Sequence, residues 1–197
     1  MKIAFVLLIS AFGFLATPAQ SLNAANVVVG SNDLARPRRI STFTMPTPAM
    51  IGELERTAFD LLNAKRKERG LSTLVWSDAV AAVAREHSVD MATMNYFSHK
   101  DLNGRYVSDR ADSMGLKKWR AIGENIAFNR GFADPIARTV DLWMNSTSHR
   151  QNLLDDHWKE SAVGIAVASD GSYFFTQVFL DKNSEIAKRR PRRPKFA

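Results

Sequence analysis

The chain has 197 residues, no cysteine and a formal net charge of +7. This length fits one domain of ordinary size with short flanking segments, and the absence of cysteine excludes a fold held by disulfides. The charge is unevenly spread, because residues 182–197 carry seven basic side chains against one acidic, while residues 51–181 carry sixteen against eighteen. The basic charge therefore belongs to the terminal segments, and the central part is nearly neutral.

The N-terminus has the features of a secretory signal peptide. Lys2 is followed by an apolar run and then by small residues, the order that precedes cleavage by signal peptidase. The run is shorter than the ~20 apolar residues needed to span a bilayer. We therefore predict a cleaved signal peptide over residues 1–25, with Ala19 and Ala25 as alternative cleavage points and an uncleaved anchor as the alternative. Secretion, or release into the periplasm, is expected, which leaves nucleic acid a poor partner.

Three further segments follow from composition. Residues 26–49 contain two proline-punctuated stretches without periodicity, which predicts a flexible linker. Residues 50–181 form the predicted domain. Residues 182–197 have almost nothing apolar to bury, so we expect a disordered basic tail. Such a tail binds anionic envelope surfaces at about 1 kcal/mol per basic residue, or else serves only solubility. An exported chain without disulfides suits a bacterial origin.

The domain shows helical periodicity first and strand-like runs last. Apolar residues recur at three- and four-residue steps in two segments, and Pro135 suits the first turn of a later helix. Asp170-Gly171 separates two β-rich runs and is a strong hairpin signal. The sum is an α+β fold in layers. Predicted helices cover residues 50–70, about 78–91, about 107–115 and 134–145, and predicted strands cover residues 163–169 and 172–180.

Three polar residues lie at the ends of elements, twenty-five positions apart: His99 in YFSH, Glu124 in IGEN and His149 in TSHRQN. Two imidazoles and a carboxylate are a normal ligand set for zinc, with water in the fourth position, and other divalent cations accept the same atoms. Ligands from three separate loops carry no spacing signature, however. The alternative is structural, with the three side chains hydrogen-bonded across a cleft and Glu124 accepting backbone N–H bonds beside Gly123.

Five blocks of sequence occur in an order that resembles a known family. They are NAKRKERGLSTLVWS, AREHSVDMATMNYFSH, GENIA, DLWMNSTSHRQNLL and VGIAVASDGSYFFTQVF. Over roughly residues 54–180 the chain resembles the CAP superfamily of cysteine-rich secretory proteins, antigen 5 and pathogenesis-related 1 proteins, also called the SCP-like extracellular domain, in its short cysteine-free bacterial type. The resemblance implies a three-layer α-β-α sandwich with a small antiparallel sheet and a large cleft, lined by two histidines and two acidic residues.

The resemblance assigns three of those four cleft residues. His99 matches the first histidine, Glu124 matches the glutamate of the GEN block, and His149 matches the second histidine. The second acid does not match, because Ser146 stands where many eukaryotic members have glutamate. Asp141 and Asp155 are substitutes only if their side chains reach the cleft.

The function expected from this pattern is an extracytoplasmic binding or interaction module, dependent on zinc or another divalent cation held by His99, Glu124 and His149. Whether the chain is an enzyme stays open. A metal-assisted hydrolase with Glu124 as the catalytic base is one alternative. A serine nucleophile is disfavoured because the chain has no GxSxG elbow. Lipid or sterol binding is the other alternative, and it rests on the resemblance alone. We expect a monomer whose partner is a small ligand or a lipid.

Supporting roles complete the sequence-based expectations. Arg110 and Arg150 are predicted to brace the cleft by pairing with acids, and Asn125 and Asn152 to hydrogen-bond loop backbone. His87 is expected at a core or boundary position on the second helix. We expect His157 to be solvated, and the aromatic residues of the middle segment to be buried; these are Phe97, Trp119, Phe128 and Phe132.

Overall fold

The structure is a computed structural model that describes residues 44–182 and the backbone of residues 3–5. These residues form helices and a sheet whose central strands are antiparallel, which confirms the α+β class. The helices are α1 (Pro48–Lys67), α2 (Asp78–Met94), α3 (Val107–Ser113), α4 (Pro135–Asn145) and α5 (Thr147–Leu154). The strands are β1 (Ile3–Phe5), β2 (Val75–Trp76), β3 (Trp119–Asn129), β4 (Glu160–Val167) and β5 (Tyr173–Lys182).

The sheet has an antiparallel centre and short parallel edges. Its strand order is β1-β3-β5-β4-β2, in which β5 pairs antiparallel with both β3 and β4. The two edge strands each pair in parallel over two or three residues. The turn between β4 and β5 contains Gly171 at a φ of 83°, a left-handed conformation that glycine adopts without steric cost. The predicted hairpin at Asp170-Gly171 is therefore confirmed.

Helices cover both faces of this sheet. The core on one face includes Phe59 of α1 and Trp143 of α4, packed with Phe175 of β5. The core on the other face includes Val80 of α2 and Val178 of β5. Apolar surface is buried on both faces of the sheet, and each Å² removed from water stabilises the fold by roughly 25 cal/mol. The layers therefore form the expected α-β-α sandwich.

The outer edge of β3 is covered by β1 at its start and by helices α4 and α5 further along. β1 pairs only with Ala121, Ile122 and Gly123. Further along, the indole N–H of Trp143 donates to the Ile126 carbonyl at 3.0 Å, and helices α4 and α5 pack beside the strand. Capping the polar atoms of an edge strand in this way ends the sheet. It also brings α5 alongside β3, where the candidate site lies.

Several expectations need correction or fall outside the described residues. Phe97, Phe128 and Phe132 are 43%, 51% and 49% exposed, so the prediction that they are buried is wrong, whereas Trp119 is buried as expected. Helix α1 begins at Pro48, two residues inside the predicted linker. Apart from the backbone of residues 3–5, the predicted signal peptide lies outside the described part, as do the linker up to residue 43 and the tail beyond Lys182. Among described residues, none of the helices has the length and apolar character required to cross a membrane.

Candidate functional site

Glu124 lies at the centre of the site, on β3. Its side chain is 3% exposed, and its Oε1 atom accepts a hydrogen bond from His99 Nδ1 at 2.8 Å. The other carboxylate oxygen, Oε2, accepts a short hydrogen bond from Arg110 Nη2. Burial opposes ionisation, but the hydrogen bond from His99 and the charge of Arg110 outweigh it and hold the pKa of Glu124 below its ordinary value. Glu124 is thus an ionised carboxylate with both oxygens engaged.

His99 presents one ring nitrogen to Glu124 and keeps the other free. A carboxylate only accepts, so the hydrogen bond places the ring hydrogen on Nδ1 and leaves a lone pair on Nε2. That Nε2 atom is buried, and within residues 44–182 it has no hydrogen-bond partner. The tautomer of His99 is therefore set by Glu124.

His149 is brought to the same place by α5. Its Nε2 atom is also buried and has no hydrogen-bond partner among the described residues. Burial, with a smaller contribution from nearby His99, lowers the pKa of His149 to about 4. The imidazole is consequently neutral at physiological pH. His99 and His149 thus each have a buried ring nitrogen that binds no described group.

Two asparagines tie α5 to β3. Asn125 Nδ2 donates to the His149 carbonyl at 3.1 Å, and Asn152 Nδ2 donates to the Glu124 carbonyl at 3.3 Å and to Asn125 Oδ1 at 3.1 Å. Both side chains therefore bond backbone, but the carbonyls belong to α5 and β3 and not to loops as expected. Gly123 permits this approach, because a Cβ there would lie 2.8 Å from the Trp158 ring and 3.1 Å from Asn152 Oδ1.

The two arginines behave differently. Arg110 is 1% exposed and pairs with Glu124, as expected, while its Nη1 atom donates to the His99 carbonyl at 3.1 Å. Arg150 instead donates to the Met144 carbonyl at 2.8 Å, so the prediction of an acid partner is wrong. The reason is local, because α4 ends at Asn145 and leaves carbonyls of its last turn without helical partners.

The remaining candidates do not join the site in the described part of the chain. Asp141 is exposed on α4, and Asp155 accepts a hydrogen bond from the His157 ring. The Ser146 hydroxyl oxygen lies 3.2 Å from the Ser148 hydroxyl oxygen, and Ser146 makes no described hydrogen bond to His149. The His157 side chain is 28% exposed, with its ring centroid 3.9 Å from that of Trp158, so it is only partly solvated. No three His, Cys, Asp or Glu side chains within residues 44–182 form a group arranged to hold a metal ion.

One residue of the site was not identified as such from the sequence. His87 is fully buried on α2, with Nε2 lying 2.9 Å from the Ser98 carbonyl and 4.0 Å from Glu124 Oε1. Its position on the apolar face of α2 correctly indicates a core residue, but nothing in the helical spacing indicates that this face meets the His99 loop.

Comparison with known proteins agrees with this fold. The model of the CAP family, described as the cysteine-rich secretory protein family, matches residues 59–179. The chain is 32% identical over 170 residues to the uncharacterized protein YkwD of Bacillus subtilis, and 37% identical over 128 residues to the uncharacterized membrane protein YlbC of the same organism. These matches cover 85% and 65% of this chain, but only 63% and 34% of the relatives.

Solved structures show the same fold. An extracellular protein of Bacillus anthracis that contains an SCP domain is 30% identical, with a TM-score of 0.59 over 71% of this chain and 45% of that one. An outer surface protein of Borrelia burgdorferi matches with a TM-score of 0.59 at 20% identity, over 66% of this chain and 93% of that one. The chain belongs to the CAP family of cysteine-rich secretory proteins, as a cysteine-free member of the bacterial type.

Proposed function

We propose that the protein is an exported binding module whose cleft binds a divalent cation, zinc foremost, through the Nε2 atoms of His99 and His149. The observation that carries this proposal is the pair of buried ring nitrogens that lack a partner among the described residues. Buried polar atoms are nearly always satisfied. Two such atoms on neighbouring imidazoles fit a cation that both would bind.

The donor set fits zinc, with Glu124 in a supporting role. Zinc accepts neutral imidazole nitrogen, and a zinc-bound histidine usually donates its other N–H to a carboxylate, which fixes the ring. His99 already makes that bond to Glu124. We therefore assign Glu124 as the partner of His99 rather than as a third ligand. The cation would supply Lewis acidity and open positions for oxygen atoms of a ligand.

Export is supported by the N-terminal sequence and by one relative. Residues 1–25 have the charge and apolar pattern of a signal peptide, and the solved relative at 30% identity is an extracellular protein. We propose that the module acts outside the cytoplasm as a monomer, with its basic tail on an anionic surface of the cell envelope.

A calorimetric zinc titration tests the cation site. We expect the unmodified protein to bind zinc, His99→Ala and His149→Ala to weaken binding by more than about tenfold, and the double variant to abolish it. His157→Ala is the matched control, because this histidine lies outside the site, and it should bind as the unmodified protein does. Equal binding by all four variants, or no binding by the unmodified protein, would refute the proposal.

Hydrolysis is a weaker candidate. A cation held by two imidazoles can activate water, but Glu124 is a poor base because His99 and Arg110 engage both of its oxygens and its pKa is lowered. Zinc-dependent cleavage of a peptide substrate that disappears in His99→Ala would establish this activity. Zinc binding without cleavage would leave the protein a binding module.

A groove away from the histidines favours lipid as a second ligand. It has a volume of about 590 Å³ and lies between α1, α2 and β4, with mostly apolar walls that include Ile51, Val89 and Ile165. Val89 is 49% exposed, so Val89→Glu would put charge into the groove at little cost to folding. If the groove binds lipid, a fluorescent fatty acid should bind the unmodified protein and not Val89→Glu. Equal retention by both would exclude this groove.

A further inference from the structure

A third histidine lies beneath the loop that carries His99. His87 is on α2 and is fully buried, with its Nε2 atom 2.9 Å from the Ser98 carbonyl oxygen. A carbonyl oxygen only accepts, so Nε2 must carry the ring hydrogen. The Nδ1 atom is then an unprotonated acceptor, and it is buried without a partner among the described residues.

The bond from His87 fixes the peptide that precedes His99. Helix α2 ends at Met94, and its C-cap residue Asn95 has a left-handed φ of 54° that turns the chain away from the helix. In the segment that follows, the Ser98 carbonyl accepts from His87, and the His99 carbonyl accepts from Arg110 at 3.1 Å. Buried side chains thus hold the carbonyls on both sides of the His99 backbone nitrogen and Cα. This arrangement aims the His99 ring at Glu124.

A charge-based role for His87 fits the geometry less well. The distance of 4.0 Å from His87 Nε2 to Glu124 Oε1 is too long for a hydrogen bond. Burial is the largest influence on the pKa of His87 and lowers it. Glu124 opposes this effect and Arg110 adds to it, and the net result is a lowered pKa and a neutral ring. His87 is accordingly a hydrogen-bond donor to backbone and not the cation of an ion pair.

We propose that His87 is a positioning residue, which acts through the Ser98 carbonyl to hold His99 with Nδ1 on Glu124 and Nε2 toward the cleft. Its effect on metal affinity rests on the proposed cation site, whereas its effect on the tautomer of His99 does not. The two consequences can therefore be measured separately.

The test compares His87→Phe with His87→Gln. Phenylalanine fills the space of the ring but has no donor, whereas the amide of glutamine has an N–H near the position of Nε2. In the metal-free protein, ¹⁵N NMR of the imidazoles should show His99 as the Nδ1–H tautomer in the unmodified chain and in His87→Gln, and as a mixture in His87→Phe. Zinc affinity should fall about tenfold in His87→Phe, within the range for partners of metal ligands, and stay near the original value in His87→Gln.

The outcomes separate the two proposals. If the unmodified protein binds no zinc, the cation site is refuted, and the His99 tautomer alone decides the role of His87. An unchanged tautomer in His87→Phe, or equal losses in the phenylalanine and glutamine variants, would overturn the positioning role. If His87→Phe does not fold, the spectrum of the unmodified protein still tests the positioning role. The proposal requires His87 to be the Nε2–H tautomer, and an Nδ1–H tautomer would refute it.

Discussion

Glu124 and Arg110 form a buried ion pair at the centre of the site, with side chains 3% and 1% exposed. Removing one member leaves the other charge buried and unpaired, which costs about 3–5 kcal/mol. We expect Arg110→Met and Glu124→Gln each to reduce the free energy of unfolding by this order, and the double variant by less than their sum. Urea unfolding of the four proteins measures the coupling. Losses that add to within about 0.5 kcal/mol would show that the two residues act independently.

The histidines predict a loss of stability in acid. His149 has a pKa of about 4 in the folded protein, against an ordinary value of 6.5. In the unfolded chain His149 is protonated below pH ~6.5, whereas in the folded protein it stays neutral down to pH ~4. The free energy of unfolding therefore falls as the pH is lowered through this window, by up to about 1.4 kcal/mol per pH unit. The lowered pKa of Glu124 acts in the same direction at lower pH, because its stabilisation is lost as the carboxylate is protonated.

Unfolding free energies between pH 7 and pH 4.5 test this assignment. His149→Gln should have a shallower pH dependence than the unmodified protein, because glutamine does not titrate. His157→Gln provides the comparison, since it removes a histidine outside the site. Parallel pH profiles for the unmodified protein and His149→Gln would contradict a buried neutral imidazole.

At the level of single residues, the sequence predicted which residues belong to the candidate site better than it predicted their hydrogen-bond partners. His99, Glu124 and His149 were grouped through resemblance to a family, because equal spacing in sequence carries no information about distance between loops. The polar contacts of Arg150 depend on where α4 ends, and those of His87 on which loop lies above α2. Both are set by packing between elements that local sequence does not encode.

At the level of elements, the close approach of α2 to β4 depends on Gly164. A Cβ at Gly164 would lie 2.3 Å from the Arg85 backbone nitrogen and 2.7 Å from the Ala84 carbonyl oxygen, so the helix would have to move off the strand. Ser88 Oγ also donates to the Gly164 carbonyl at 2.9 Å. We expect Gly164→Ala to lower the free energy of unfolding by about 3 kcal/mol, at the upper end for overpacking.

Gly52 supplies the matched control. It lies inside α1 with nothing within 4 Å of an added Cβ, so Gly52→Ala should stabilise the protein by about 0.5–1 kcal/mol through helix propensity. Thermal or urea unfolding compares the two variants. Equal effects of the two alanines would mean that the contact between α2 and β4 is not tight.

Helices with an apolar stripe were predictable, whereas the short edge strands β1 and β2, strand β3 and helix α5 were not. The helices predicted at about 78–91, about 107–115 and 134–145 agree closely with α2, α3 and α4. Strand β3 was missed because Gly123, Glu124 and Asn125 interrupt its apolar residues, although the strand is almost entirely buried. Helix α5 was missed because TSHRQNLL is largely polar and buries only Asn152 and Leu153. In both, the residues that build the site break the local pattern, as expected where function and folding compete.

At the level of the whole molecule, the sandwich brings the site together from both helical layers. Helices α2 and α3 supply His87 and Arg110 on one side of the sheet, and α5 supplies His149 along the edge of β3. The loop after α2 adds His99. No single layer contains the set, so formation of the site depends on the complete fold.

The uneven charge of the chain predicts a salt-sensitive association with anionic membranes. Residues 183–197 carry six basic side chains, each worth about 1 kcal/mol near an anionic surface. We expect the protein to sediment with vesicles that contain phosphatidylglycerol, and to be released at about 1 M salt, where the Debye length is ~3 Å. A chain ending at Lys182 should stay in solution. Equal sedimentation of both chains would assign the affinity to the domain and not the tail.

The most direct test of the account is a crystal structure of the protein soaked with zinc, with the metal located by anomalous scattering. We predict one strong peak within ~2.0–2.1 Å of both His99 Nε2 and His149 Nε2, with Glu124 still bound to His99 Nδ1. A peak on Glu124 itself, a peak elsewhere, or none at the two histidines would contradict the proposed site.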